Sequence, residues 1–248
     1  MRGETTPKAQ GGAAAEDGGV LQTGSDAGLV AAAHELKAPL ALIRQLAFQL
    51  ENDSLPQQNR QHIAQQIRLT SEKALRLTTD LTKVSRLEDA LFALEPIHPA
   101  AICEDVTREL GEYYRAHNKT LRVQNAHKLP LIIAHRELLR RVLTVFSDNA
   151  LQYGGDEIVL SVKKQSPLSV RISVRDYGPA LSLADFYQIK KRLSRPQAVH
   201  ARPGSSGLGL YIAGQFAAAM HGSIGITRHR DGVSFYVDMR ASQQLSLL

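Results

Sequence analysis

The chain has no tryptophan, one cysteine and three methionines, and aromatics make up only 5% of its 248 residues. A single thiol excludes an internal disulfide and fits a reducing compartment. Cys103 is expected at a half-buried helix position. The net charge of +6 and pI near 9.5 point to an anionic ligand or an acidic partner. Without basic runs interleaved with aromatics that could stack bases, nucleic acid is not expected among the partners. Long apolar runs are missing too. The longest, Leu208 to Met220, is broken by Gly214 and Gln215 and falls short of the roughly 18 residues a membrane span requires. No direct membrane span is expected. The N-terminus lacks the apolar run of a secretory signal, so a cytoplasmic location is expected.

What is present is an ordinary soluble composition, with 43% hydrophobic and 22% charged residues and a mean hydropathy of −0.20. The length suffices for two modest domains, each with its own core. Residues 1–25, rich in Gly, Ala and Thr without apolar periodicity, are expected to form a flexible tail. Helical pattern begins after Ser25 and Asp26, either of which can cap it. Leu36, Leu40, Ile43, Ala47 and Leu50 step by heptad spacing. A second helix opening near Pro56 repeats it at Ile63, Ile67, Thr70, Ala74, Leu77, Leu81 and Val84. Two seamed helices joined by a short polar loop form a hairpin that leaves a stripe uncovered. Pairing two hairpins into a four-helix bundle covers it and predicts a homodimer. The alternative is a hairpin packed on its own second domain.

From about Phe92 the pattern changes to mixed α/β. One helix face is marked by Ile102, Val106, Leu110 and Tyr113; a strand is expected over Leu121 to Gln124 and a long helix over Glu137 to Tyr153. Strands follow over Glu157 to Lys164 and Ser169 to Asp176. Near the end, Ser223 to Thr227 and Val233 to Met239 flank the turn residues Asp231 and Gly232, a hairpin signal. The expected fold is multidomain, α followed by α+β: a dimeric helical bundle over 26–91, an α/β sandwich over 92–243 and a tail over 244–248.

Four short motifs carry chemistry. In His34-Glu-Leu-Lys-Ala-Pro-Leu40, His34 lies two residues before the seam position Leu36, so its imidazole is expected to face solvent. Beside it, Glu35 can hold or accept the ring proton while the other nitrogen attacks. Pro39 is expected to bend the helix just past that turn. A surface histidine with a solvated glutamate is the plain alternative. In Ser147 to Tyr153, the Asn149 amide oxygen can ligate Mg²⁺, which favours hard oxygen donors beside phosphates and waters; a polar helix face is the alternative. At Asp176-Tyr177-Gly178 a strand ends where a carboxylate can accept from an adenine amino group and a glycine permits a tight turn. Gly204 to Leu210 places glycines ahead of a helix, where backbone N–H groups and the helix dipole attract phosphate.

With these motifs in this order, the chain over about residues 27 to 240 resembles the sensor histidine kinases, which join a dimerising phosphoacceptor hairpin of the HisKA type to a Bergerat-type ATP-binding domain. The resemblance implies that His34 is phosphorylated from ATP with Glu35 as its proton partner. It makes Asn149 the Mg²⁺ ligand, Tyr153 a neighbour of the nucleotide and Asp176 the adenine reader, with Gly178 in its turn. Gly204, Gly207, Leu208 and Gly209 form the phosphate loop, followed by the trailing His221-Gly222. Residues 180–206 correspond to the ATP lid, where Lys190, Lys191, Arg192 and Arg195 can offset phosphate charge or form a solvated loop face. The implied partner is a response-regulator receiver domain, whose aspartate takes the phosphoryl group.

The chain departs from the family at four positions. Val145 stands one turn before Asn149, where the family has a second amide; Gln152 stands where it often has a cation; Ala180 replaces the second glycine of the Asp-Tyr-Gly turn. Each loss bears on phosphoryl transfer, which depends on positioning and charge neutralisation. Ala38, one turn beyond His34, replaces the Thr or Asn that orients water for dephosphorylating the partner. The alternative function is a pseudokinase scaffold that dimerises and binds a regulator without transfer chemistry.

Overall fold

The computed structural model describes residues 23–51, 55–87, 93–124, 129–193 and 207–243. Two long helices come first, α1 (Thr23–Leu50) and α2 (Gln57–Ser85), with Pro56 at the N-cap of α2. Proline suits that place because the first helical N–H groups need no intrahelical partner. Ser25 and Asp26 lie inside α1 and do not cap it, since the helix already includes Thr23. It runs through Pro39 to Leu50.

Where the two helices meet, the α1 stripe differs from the one expected. Leu46 is buried and Leu36, Pro39, Ile43 and Leu50 are half-buried, whereas Leu40 and Ala47 are exposed. Alternating steps of three and four fit both stripes, which differ by a small rotation of the helix. The α2 seam holds better: Ile63 and Ala74 are buried, and Leu77, Leu81 and Val84 pack against the core of the second module.

That module contains β1 (Glu95–Ile97), α3 (Pro99–Ala116), β2 (Thr120–Gln124), β3 (Ile132–Ala134), α4 (Arg136–Tyr153), β4 (Glu157–Ser166), β5 (Ser169–Asp176), α5 (Leu183–Leu193), α6 (Leu208–Ala219), β6 (Ser223–His229) and β7 (Gly232–Arg240). Five strands form one sheet in the order β2-β4-β5-β7-β6, with β2 parallel to β4 and the other pairs antiparallel. A two-stranded ribbon, β1 with β3, lies apart. Helices α3, α4 and α6 pack against the sheet. Along β5, Val170, Ile172 and Val174 are buried while Arg171, Ser173 and Arg175 are only half-buried, as a period of two requires when one face meets a core. Asp176 falls in the same register as the three apolar residues and is carried inward with them.

One further expectation changes, and two features lay outside the sequence reading. Cys103 is fully buried in α3 rather than half-buried; burial, then the neighbouring Glu104, pushes its thiol up to about 12. The first part of the segment expected as a lid is the helix α5, which carries Lys190, Lys191 and Arg192 in its last turn. Strands β1 and β3, three residues each, carry too little pattern to be seen in sequence. Among the described residues no helix is long and apolar enough to cross a membrane.

Candidate active site

A cleft of about 380 Å³ opens between the helical hairpin and the α/β module. From α4 it is lined by Arg141, Val145, Asp148, Asn149, Gln152 and Tyr153, and from the start of α6 by Gly207, Gly209, Leu210 and Ile212. Its opposite wall is Ala38, Pro39 and Leu42 of α1 with Thr70, Lys73, Ala74, Arg76, Leu77 and Asp80 of α2. Three motifs widely separated in sequence thus meet around one space.

The C-terminal half of α4 is held from beneath. The Tyr114 hydroxyl donates to the Ser147 carbonyl at 2.6 Å, and Lys119 Nζ donates to the Leu151 and Gly154 carbonyls, each at 2.7 Å. A cation on the last carbonyls of a helix satisfies otherwise orphaned acceptors and opposes the negative end of the helix dipole. Asn149 sits between these anchors. Its Nδ2 is buried with no hydrogen-bond partner among the described residues, an unusual state for a buried amide, which normally costs about 1–3 kcal/mol when left unsatisfied. Tyr153 is 54% exposed at the rim.

Gly207 caps α6 with φ 73 and ψ 5, a left-handed conformation that favours glycine. A Cβ on Gly209 would stand 3.3 Å from Val145 Cγ1, so the two segments are already in close contact. Leu208 between them is a core side chain, fully buried. Gly204 and Arg195 lie outside the described residues.

Asp176 is placed apart from this cleft's lining. It is only 5% exposed, and its Oδ1 accepts from the Val233 N–H at 3.0 Å. Burial holds its carboxyl above the usual carboxylate range, with the Val233 hydrogen bond and the charges of Arg175, His229 and Lys119 working the other way. Gly178 packs so closely that a Cβ there would come within 2.6 Å of the Gly155 nitrogen, which explains the glycine after the strand. Lys190 and Lys191 are exposed on α5 and do not line the cleft; the Lys190 ammonium lies 5.8 Å from the Phe186 ring centroid.

His34 and Glu35 lie within α1, but their side chains fall outside what the structure describes. Position 34 stands one helical turn, about 6 Å, before Ala38 in the i, i+4 row that continues to Leu42. Ala38 and Leu42 both line the cleft. Residues missed in sequence are Asp148, Lys73, Arg76, Asp80 and Arg141. On α2 the signal was available in the i, i+3, i+4 row of charged positions 73, 76 and 80, but nothing in it says which helix the row faces. The Asp148 carboxyl is raised by burial, with Arg76, Lys73 and Arg141 favouring its charged form.

Residues 134–243 match the family model of histidine kinase-, DNA gyrase B-, and HSP90-like ATPases. Over these residues the α/β module is thus similar to ATPase domains of that kind, which implies ATP binding, and the chain is homologous to sensor histidine kinases. It is 28% identical over 206 residues to histidine protein kinase SaeS of Staphylococcus epidermidis, covering 80% of this chain and 58% of that one. It is 27% identical over 217 residues to the adaptive-response sensory kinase SasA of Microcystis aeruginosa, covering 82% and 56%. The chain therefore spans a little over half the length of these curated relatives. Among solved structures, full-length ShkA in complex with AMPPNP superposes with a TM-score of 0.57 at 22% identity, covering 89% of this chain and 47% of that one. Histidine kinase ThkA in complex with the response regulator TrrA gives 0.59 at 18% identity, covering 85% and 60%. At these identities the structural likeness establishes the fold.

Proposed function

We propose that this chain is the catalytic core of a two-component sensor histidine kinase, which transfers the γ-phosphoryl group of ATP to His34 and passes it to a response-regulator aspartate. The observation that carries this reading is the cleft itself. It joins the Asn149 helix and the Gly207–Gly209 segment to the turn of α1 that follows position 34. Phosphoryl transfer asks for little covalent help from a protein and much positioning, so a nucleotide-binding surface directly opposite an acceptor helix is the arrangement it needs.

The residues fit a magnesium nucleotide. The Asn149 amide, whose oxygen and nitrogen exchange places by rotation, supplies one hard oxygen to Mg²⁺, with phosphates and waters completing its shell. The Gly207 cap and the start of α6 present N–H groups to phosphate, and Asp176, which stands outside the cleft lining, is assigned the adenine amino group on the resemblance alone. Exposed Leu40 (58%), Phe48 (63%) and Leu75 (66%) on the hairpin support burial against a second copy in a homodimer. Relatives crystallised with AMPPNP and with a response regulator support the nucleotide and the partner. The chain divides in this reading into a phosphotransfer hairpin over 26–91 and an ATP-binding domain over 92–243. Ala38 leaves no hydroxyl or amide to orient water, so the chain lacks rapid phosphatase activity toward its phosphorylated regulator.

The test is incubation with radiolabelled ATP and Mg²⁺. Acid-labile, base-stable phosphate that disappears in His34→Gln is expected. A second reading, a scaffold without transfer chemistry, is favoured by Val145 filling the place of an amide at the cleft wall. Failure of the parent chain to incorporate any phosphate would establish that alternative.

A further inference from the structure

We propose that Lys73 and Arg76, on the hairpin helix α2 rather than on the ATPase module, are the cations that bind and neutralise the triphosphate in this cleft. The inference rests on the nucleotide reading of the site and adds to it the source of its positive charge.

A triphosphate needs cations, and among the described residues of the α/β module few stand where they are needed. Gln152, an uncharged side chain, lines the cleft from α4, and Lys190 and Lys191 stand outside the lining. Among the described lining residues the cations are Lys73, Arg76 and Arg141. Arg141 is engaged: its guanidinium is paired with Asp80 through Nε and Nη2. Lys73 and Arg76 have no ion pair within 4 Å among the described residues.

Position and exposure favour the same role. Lys73 is exposed and Arg76 half-buried, so both can move toward an incoming anion without breaking a core contact. They lie on the α2 row that includes Thr70, Leu77 and Asp80, three and four residues apart, and therefore on the face turned to α4. The lining carboxylates are Asp80, already paired, and Asp148. Lys73 and Arg76 thus face one unpaired acidic group, and the wall opposite Asn149 is net positive. Charge-assisted hydrogen bonds to phosphate are roughly twice as strong as neutral ones, and more so in a cleft shielded from water.

A regulatory consequence follows from where these cations are attached. They belong to the hairpin, so full nucleotide affinity exists only while the hairpin is docked on α4 and α6. Displacement of the hairpin weakens ATP binding as well as separating ATP from its acceptor.

The test uses the full chain and titrates Mg·ATP by calorimetry, alongside the rate of phosphohistidine formation. Lys73→Ala/Arg76→Ala is expected to weaken Mg·ATP binding by about tenfold or more, from the loss of charged hydrogen bonds, and to flatten its dependence on salt. The thermal midpoint should change little, because neither side chain is buried. Lys73→Arg/Arg76→Lys should keep most of the affinity, and Gln152→Lys added to the double alanine variant should restore part of it. Equal affinity of the parent and the double alanine variant overturns the inference while leaving the kinase reading standing. A parent chain that binds no Mg·ATP overturns that reading and the inference with it. A parent that binds but does not phosphorylate His34 overturns the kinase reading alone, and the affinities still decide the role of the two cations.

Discussion

Arg141 and Asp80 form a buried two-point ion pair that ties the α/β module to the hairpin: Arg141 Nε donates to Asp80 Oδ1 at 2.8 Å and Nη2 donates to Oδ2. Their side chains are 9% and 3% exposed. The parallel geometry suits the planar guanidinium, which a lysine could not reproduce. Because one partner comes from α2 and the other from α4, the pair acts on domain placement rather than within either module.

Removing one partner should cost more than removing both. Asp80→Ala leaves a buried guanidinium unpaired, expected to destabilise the docked form by about 3 kcal/mol. The double variant Asp80→Ala/Arg141→Met should recover most of this loss. Chemical denaturation of the four members of the cycle measures it; a double variant no better than Asp80→Ala would show that the pair is not what holds the modules together.

The Asp148 carboxyl has a pH signature. Burial raises it above its ordinary 3.8, against the pull of Arg76, Lys73 and Arg141. The folded state therefore binds this proton more tightly than the unfolded state does. A raised acid of this kind favours folding at low pH, and that contribution is lost as pH rises from 3.8 through the folded value. Asp148→Asn should gain stability relative to the parent over that rise, read from denaturant midpoints at stepped pH. A difference that stays constant with pH would remove the claim.

Val145→Asn should restore a second amide beside Gly209. In the free protein a buried amide without partners costs about 1–3 kcal/mol, so the variant should melt lower than the parent. Mg·ATP should then protect it more than it protects the parent, and phosphohistidine formation should accelerate. Equal protection of the two chains in a thermal-shift titration would show that position 145 does not reach the ion.

Cys103 should be chemically silent. Its thiol is fully buried and held at about 12 by burial and Glu104, and only the thiolate is a good nucleophile. Iodoacetamide at pH 8 should leave the folded chain unmodified and label it stoichiometrically in denaturant, as mass spectrometry would report. Labelling of the folded chain would indicate local opening of α3.

Much of the architecture could be read from residue order. The alternation of Val170, Ile172 and Val174 with Arg171, Ser173 and Arg175 places β5, and the Asp231-Gly232 turn places the β6–β7 hairpin, because side-chain periodicity and turn chemistry are local properties. Two things were not local. The α1 stripe was displaced because Leu40 and Leu46 both satisfy a seven-residue repeat, and only contact with α2 selects between them. The helix α5 fell in a segment expected as lid, where weak periodicity says little about order.

The sequence by itself determined the motifs and their order: a histidine and proline on a long helix, an asparagine on another, an aspartate ending a strand, and glycines opening a helix. Those follow from residue type and spacing, which the chain carries with it. Only the tertiary structure decided that the asparagine helix, the glycine segment and the hairpin enclose one cleft, and that Lys73 and Arg76 enter it from the opposite wall. Helix periodicity says which residues share a face. It does not say what that face meets, since that is set by packing between segments far apart in the chain.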